Sequence, residues 1–150
     1  MRIQDVMTAN VKTVAASMPA TDAWDMMRQQ GIHHLVVKQG NEIVGVLSDR
    51  DAGGRSGASV RTGRTVADLM TSPVATIDRA DTIRKAANLM RGRTIGCLPV
   101  VHRGRLAGIV TTSDLLGLLG RGIDRPTAAA RASLHYRVAH RHRGRSAGAW

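Results

Sequence analysis

Gly45-Val46-Leu47-Ser48-Asp49-Arg50-Asp51 and Gly108-Ile109-Val110-Thr111-Thr112-Ser113-Asp114 share one pattern: a glycine, two apolar residues, a hydroxyl and, three residues on, a carboxylate. The two stretches lie 63 residues apart. Carried outward, the same offset aligns residues 2–51 with 65–114 without a gap, and thirteen of the fifty pairs are identical. Asp5/Asp68, Met7/Met70, Thr8/Thr71, Val11/Val74, Ile32/Ile95, Gly45/Gly108 and Asp51/Asp114 are among them. An ungapped match of this length makes the chain two copies of one unit, with a linker and a tail.

Each copy reads alike. Val11–Val14 and Val74–Ile77 are short β-branched runs that suit strands. Thr21–Gln30 and Thr82–Arg91 follow, with Ala23, Met26 and Met27 matching Ala86, Leu89 and Met90 at helical spacing. Leu35–Val37 and Leu98–Val101 are predicted second strands. Polar turns at Gln39-Gly40-Asn41 and Arg103-Gly104 then lead to third strands, Ile43–Leu47 and Leu106–Val110. The helix makes the first two strands parallel, and the short turn makes the second and third a hairpin. The unit is β-α-β-β, closing into a helix after Ser48 or Thr111. Four glycines within residues 52–64 predict a short or frayed closing helix in the first copy. About 50 residues bury too little surface to stand alone, so the copies are expected to pack together with clefts between them.

The chain has 150 residues and carries 22 Lys and Arg against 11 Asp and Glu, a formal +11. The first 120 residues account for +5; the last 30, with seven arginines and only Asp124 against them, account for +6. The excess therefore marks a basic tail on a nearly ordinary domain. One cysteine excludes an internal disulfide framework. The amino end lacks an apolar signal region and no stretch is long enough for a membrane span, so a soluble, cytoplasmic protein with no membrane partner is expected.

The repeat resembles the cystathionine β-synthase (CBS) domain, paired as in a Bateman module. Val6-Met7-Thr8 and Leu69-Met70-Thr71, the segments Gly31–Val37 and Thr94–Val101, and the two opening motifs carry the resemblance. It implies an α/β fold of two β-α-β-β-α units packed through their sheets with pseudo-twofold symmetry. The expected divisions are residues 1–58 for the first domain, 59–64 for the linker, 65–120 for the second domain and 121–150 for a flexible basic tail. The resemblance further implies a regulatory module without enzymatic activity, commonly a homodimer. Its clefts would take adenosine-type ligands such as AMP, ADP, ATP or S-adenosylmethionine, with no cofactor required.

The repeated motif delivers a hydroxyl to the start of a helix, where free N–H groups and the helix dipole favour a phosphate oxygen. Ser48 and Thr111 would add donors to that phosphate, and Asp51 and Asp114 would accept from ribose hydroxyls. The same tetrapeptides also fit a helix capping box, so hydroxyl and acid can serve the backbone as well. Arg50, where the second motif has Ser113, is suited to a phosphate or to solvent at a helix start. His34 and Cys97 hold matching places at the heads of the second strands, facing ligand or simply walling the cleft. Backbone at Thr13-Val14 and Thr76-Ile77 would meet an adenine edge. With no Phe, aliphatic walls such as Val11, Ile32, Val74 and Ile95 would hold the base.

Two other classes compete. His33, His34, Cys97 and His102 suit zinc by type but lack a familiar ligand spacing, so no metal site is assigned. The arginine tail suits nucleic acid or an acidic protein, with the paired domains as a dimeric scaffold. Ala130, Leu134 and Val138 within it stand at weak helical spacing.

Overall fold

The computed structural model describes residues 1–121. The tail and its Ala130, Leu134 and Val138 pattern lie outside the described residues. Met1–Leu115 form one compact unit that holds both repeats.

The first repeat runs β1 (Thr13–Ala15), α1 (Ala20–Gln30), β2 (His34–Gln39) and β3 (Glu42–Ser48). After the linker helices α2 (Ala58–Arg61) and α3 (Val66–Leu69), the second runs β4 (Ile77–Asp78), α4 (Ile83–Arg93), β5 (Cys97–His102), β6 (Arg105–Thr111) and α5 (Thr112–Gly120). Two three-stranded sheets result, ordered β1-β2-β3 and β4-β5-β6. The first pair in each is parallel and the second antiparallel, as the short turns require.

The first strands begin later than Val11 and Val74 suggest. Apolar β-branched residues mark a strand only where a partner receives their backbone, and pairing starts at Thr13 with Val36 and at Ile77 with Val100. The closing helix of the first repeat is broken outright. Residues after Ser48 form turns, with Gly53 and Gly54 at φ +93° and +65°, a region open to glycine and costly for most side chains. Helical structure resumes only in short pieces, the four residues of α2 and then the four of α3. In the second repeat α5 starts directly after β6.

One buried arginine holds the broken segment in place. Arg61 donates from Nη1 to the carbonyls of Ala52 and Gly54 at 2.8 and 2.7 Å, and its guanidinium lies 4.2 Å from the Trp24 ring centroid. Those bonds satisfy carbonyls that a longer helix would have used. The sequence offered no signal for this contact, since Arg61 sits in an unpatterned linker.

Strand alternation divides the buried residues into two cores and a shared face. Leu35 and Val37 pack with Ala23, Met27 and Leu47, while Leu98 and Val100 pack with Ala86, Met90 and Val110. Between them, Val36 pairs with Val46 and Pro99 with Ile109 on the opposite sheet faces, also buried. Through those faces the two sheets pack with pseudo-twofold symmetry.

The repeats exchange their lead-in segments. Ile3 is fully buried in the second repeat's core, joined by Val6 and Met7, while Val66, Leu69 and Met70 pack into the first. Backbone bonds fix both exchanges. Thr8 N–H donates to Ile109 at 2.8 Å and Ile109 N–H returns to Thr8 at 3.0 Å; Thr71 and Val46 repeat the pair at 2.8 and 3.2 Å. The repeats in the sequence are thus not the packing units. Gly45 and Gly108 follow directly, because a Cβ there would lie 2.9 Å from the Thr71 carbonyl oxygen and 2.6 Å from that of Thr8.

Candidate functional site

A cleft of about 920 Å³ opens between the repeats, toward the upper end of small-molecule sites. The ends of β3 and β6, the heads of β2 and β5, and the loops before β1 and β4 line it. The register places His34 opposite Ser48 and Cys97 opposite Thr111. A further backbone bond ties each strand head to the opposing turn: Asp49 N–H to the His33 carbonyl at 3.0 Å, and Thr112 N–H to that of Gly96 at 2.9 Å. Two motifs distant in sequence are thereby brought to one opening.

Both motifs form reciprocal caps. Ser48 N–H donates to Asp51 Oδ2 and Asp51 N–H to Ser48 Oγ, each at 3.0 Å. Thr111 and Asp114 do the same at 2.8 and 3.3 Å. Each hydroxyl oxygen is accepting, so its own proton stays available to a ligand, and Oδ1 of each acid is outside the cap. Capping and ligand contact are therefore compatible. The dipole argument changes in the first repeat, because only turns follow Ser48; in the second, α5 supplies a helix start.

Ser48, Arg50, Asp51, His34, Cys97 and Thr111 all line the cleft. So do Val11, Ile32, Val74 and Ile95, the aliphatic walls. Asp114, which closes the cap with Thr111, is not in the lining. Thr13, Val14, Thr76 and Ile77, expected to offer backbone to a base, are not in the lining, which stops at Lys12 and Ala75. The later strand starts explain this: Val14 and Ile77 are buried in the two cores, and the residues just before pairing face the opening. Sequence reading passed over Asn10, Lys12 and Ala75 for that reason.

Burial lowers the His34 pKa, against opposing pull from Asp49. Burial, then the Asp114 and Asp51 charges, push the Cys97 thiol up to about 12. Both side chains are thus neutral at ordinary pH, His34 as imidazole and Cys97 as thiol. His33 Nδ1 lies 2.9 Å from Asp49 Oδ2 at the rim. His102, at the far end of β5 from Cys97, stands away from this group, 3.9 Å from Asp78. No cluster of three metal-ligating side chains forms among the described residues.

Two three-stranded sheets, each reached by the other's lead-in segment and sharing one cleft, define a tandem-repeat α/β pair. The chain belongs to the CBS domain family, which matches residues 3–52 and 66–121. It is 31% identical over 114 residues to the CBS domain-containing protein YhcV of Bacillus subtilis, covering 75% of this chain and 81% of that one. Among solved structures it is similar to the CBS domain pair of protein MJ0100, in complex with 5′-methylthioadenosine and S-adenosyl-L-methionine. There the TM-score is 0.70 and the identity 24%, over 80% of this chain and 96% of that one. It is also similar to CBSX2 in complex with AMP, with a TM-score of 0.65 and 27% identity over 80% and 97% of the two chains. The match to a homoserine O-acetyltransferase of Methanocorpusculum labreanum, 31% identical, takes up only 24% of that longer enzyme. No described helix is long and apolar enough to cross a membrane.

Proposed function

We propose that this protein is a regulatory module, not an enzyme, that binds an adenosine-type nucleotide in the cleft between its repeats and acts as a homodimer on a regulated protein. The observation that carries the reading is the convergence of Ser48, Asp51 and Thr111 on one cleft with aliphatic walls. The Asp51 carboxylate suits ribose hydroxyls, and the motif hydroxyls suit a phosphate. Val11, Ile32, Val74 and Ile95 offer a base two apolar surfaces without aromatic stacking. The similarity to CBSX2, a CBS protein solved with AMP, supports the ligand class. The longer enzymes that share the repeat devote most of their length to other domains, which supports a regulatory role for this stretch.

Calorimetric titration with AMP, ADP, ATP, NAD and S-adenosylmethionine tests it. At one hundred times the dissociation constant, ligand is expected to add about 2.7 kcal/mol of stability. Asp51→Ala and Asp114→Ala are expected to weaken binding. No binding by any of these compounds at millimolar concentration would refute the reading.

A further inference from the structure

The two halves of the cleft are built on nearly the same backbone but carry different charges. From the first repeat come the charged Lys12, Asp49, Arg50 and Asp51, beside the imidazoles of His33 and His34. Of the positions 63 residues later, Ala75, Gly96, Cys97, Thr112 and Ser113 also line the cleft and are all uncharged at neutral pH, while Asp114 is not in the lining. The side chains thus make the cleft one-sided, beyond the backbone difference between the turns after Ser48 and the helix after Thr111.

The first-repeat charges are not equally available. Asp49 Oδ2 already meets His33 Nδ1 at 2.9 Å, and Asp51 Oδ2 accepts from Ser48 N–H and from the Thr71 hydroxyl. Lys12 and Arg50 form no ion pair among the described residues, and both are exposed at the cleft. Two uncommitted cations on one wall attract an anion, and the guanidinium's fork suits two phosphate oxygens. The other wall, with Val74, Ala75, Ile95 and a protonated Cys97, suits an uncharged, weakly polar group.

We propose that the cleft takes one ligand in a fixed direction: its phosphate chain lies against Lys12 and Arg50 in the first repeat, and its uncharged end fills the second-repeat half. The identity of the uncharged end rests on the nucleotide reading above; the direction rests on the cleft's own charges. The ligand class this favours is a nucleoside di- or triphosphate over a nucleoside, bound once per chain.

The test compares adenosine, AMP and ATP by calorimetry, and follows inorganic tripolyphosphate by amide chemical shifts. ATP is expected to bind at least about tenfold more tightly than adenosine. Tripolyphosphate is expected to shift the amides around Lys12 and Arg50 and to leave those around Ala75 and Ser113 in place. Giving the first repeat its counterpart's residues, Lys12→Ala with Arg50→Ser, is expected to abolish the ATP preference while adenosine binding and the melting temperature hold. The reverse graft, Ala75→Lys with Ser113→Arg, is expected to create a second tripolyphosphate site. Equal affinity for adenosine and ATP would overturn the direction and leave the nucleotide reading intact. Tripolyphosphate shifts at Lys12 and Arg50 without binding of any adenosine compound would refute the nucleotide reading and uphold the cationic wall. No tripolyphosphate shift at Lys12 and Arg50 would overturn the proposal itself.

Discussion

The Thr71 hydroxyl donates to Asp51 Oδ2 at 3.3 Å, so the acid of the first motif is held partly by the lead-in segment of the second repeat. The corresponding hydroxyl, Thr8, makes no such bond to Asp114 among the described residues. Asp51 therefore closes a local cap and joins the two repeats, while Asp114 closes only the cap. Both Asp51→Ala and Asp114→Ala are expected to lose a cap worth about 1 kcal/mol. Asp51→Ala is expected to lose more, and Thr71→Val is expected to remove that difference. Urea denaturation of these three variants, and of each acid variant combined with Thr71→Val, against the parent checks this, and equal losses at the two acids would contradict it.

Gly45 and Gly108 lie beneath exchanged backbone. Gly45→Ala and Gly108→Ala are each expected to cost about 1–3 kcal/mol, because a Cβ must displace a main-chain carbonyl and not merely a side-chain tip. Hydrogen exchange is expected to show faster exchange at Thr71 and Val46 in the first variant, and at Thr8 and Ile109 in the second. Exchange accelerated evenly through the chain would mean that the glycines do not hold these contacts individually.

Thr94 ends α4 at φ +54°, where the matching residue of the first repeat is Gly31 at φ +63°. A β-branched residue pays for the left-handed conformation about 1–2 kcal/mol, part of which glycine's greater unfolded freedom takes back. Thr94→Gly is expected to stabilise the protein by about 0.5–1 kcal/mol and to raise its melting temperature by a few degrees. A lower melting temperature would show that the Thr94 side chain contributes a compensating contact.

Cys97 is the chain's single cysteine, which makes its chemistry easy to read. Its pKa is pushed up to about 12, from an ordinary value of 9.0, chiefly by burial. The folded protein keeps that proton after the unfolded chain has lost it. The stability this confers is complete below pH 9.0 and is lost as pH rises toward 12. Alkylation by iodoacetamide at pH 8 is expected to be far slower than for a free thiol, and Cys97→Ala is expected to resist alkaline unfolding better than the parent. Labelling at the rate of a free thiol would contradict the burial argument.

His34 titrates in the opposite sense. Its folded pKa lies below 6.5, so the unfolded chain takes up a proton first as pH falls. The fold's stability is therefore held above that pH and declines as acid is added through it, until the depressed folded value is reached. Denaturation midpoints between pH 7.5 and 5 are expected to fall more steeply for the parent than for His34→Gln. Parallel slopes would show that His34 is not the titrating group.

The fold was legible wherever a pattern repeated. The 63-residue offset, the helix periodicity around Ala23 and Met27, and the short turns at Gly40 and Gly104 sufficed for element order and strand direction. The exchange of lead-in segments was hidden, because Met7, Thr8, Met70 and Thr71 advertise only that they recur, not which repeat receives them. The glycine of each motif was the clue: a small residue marks a place where something presses close, without saying what. Ser48, Asp51 and Thr111 line the cleft and share a spacing visible in the sequence, whereas Thr13, Val14, Thr76 and Ile77 lie outside the lining because strand starts depend on a partner strand. Arg61 lay beyond any pattern, since its acceptors are the carbonyls of an irregular turn.

The traded segments bear on how such a chain can be cut. A fragment ending at Gly63 would keep its own strands but lack Val66 and Met70, which complete its core; the remainder would lack Ile3 and Met7. Mixed together, the two pieces are complementary and each supplies what the other lacks. A single repeat supplied alone could fill the gap only from a second copy of itself, trading segments in trans. The peptide link between the repeats then serves chiefly to raise the local concentration of a partner that each half requires, which makes the protein, in architecture, a swapped dimer written on one chain.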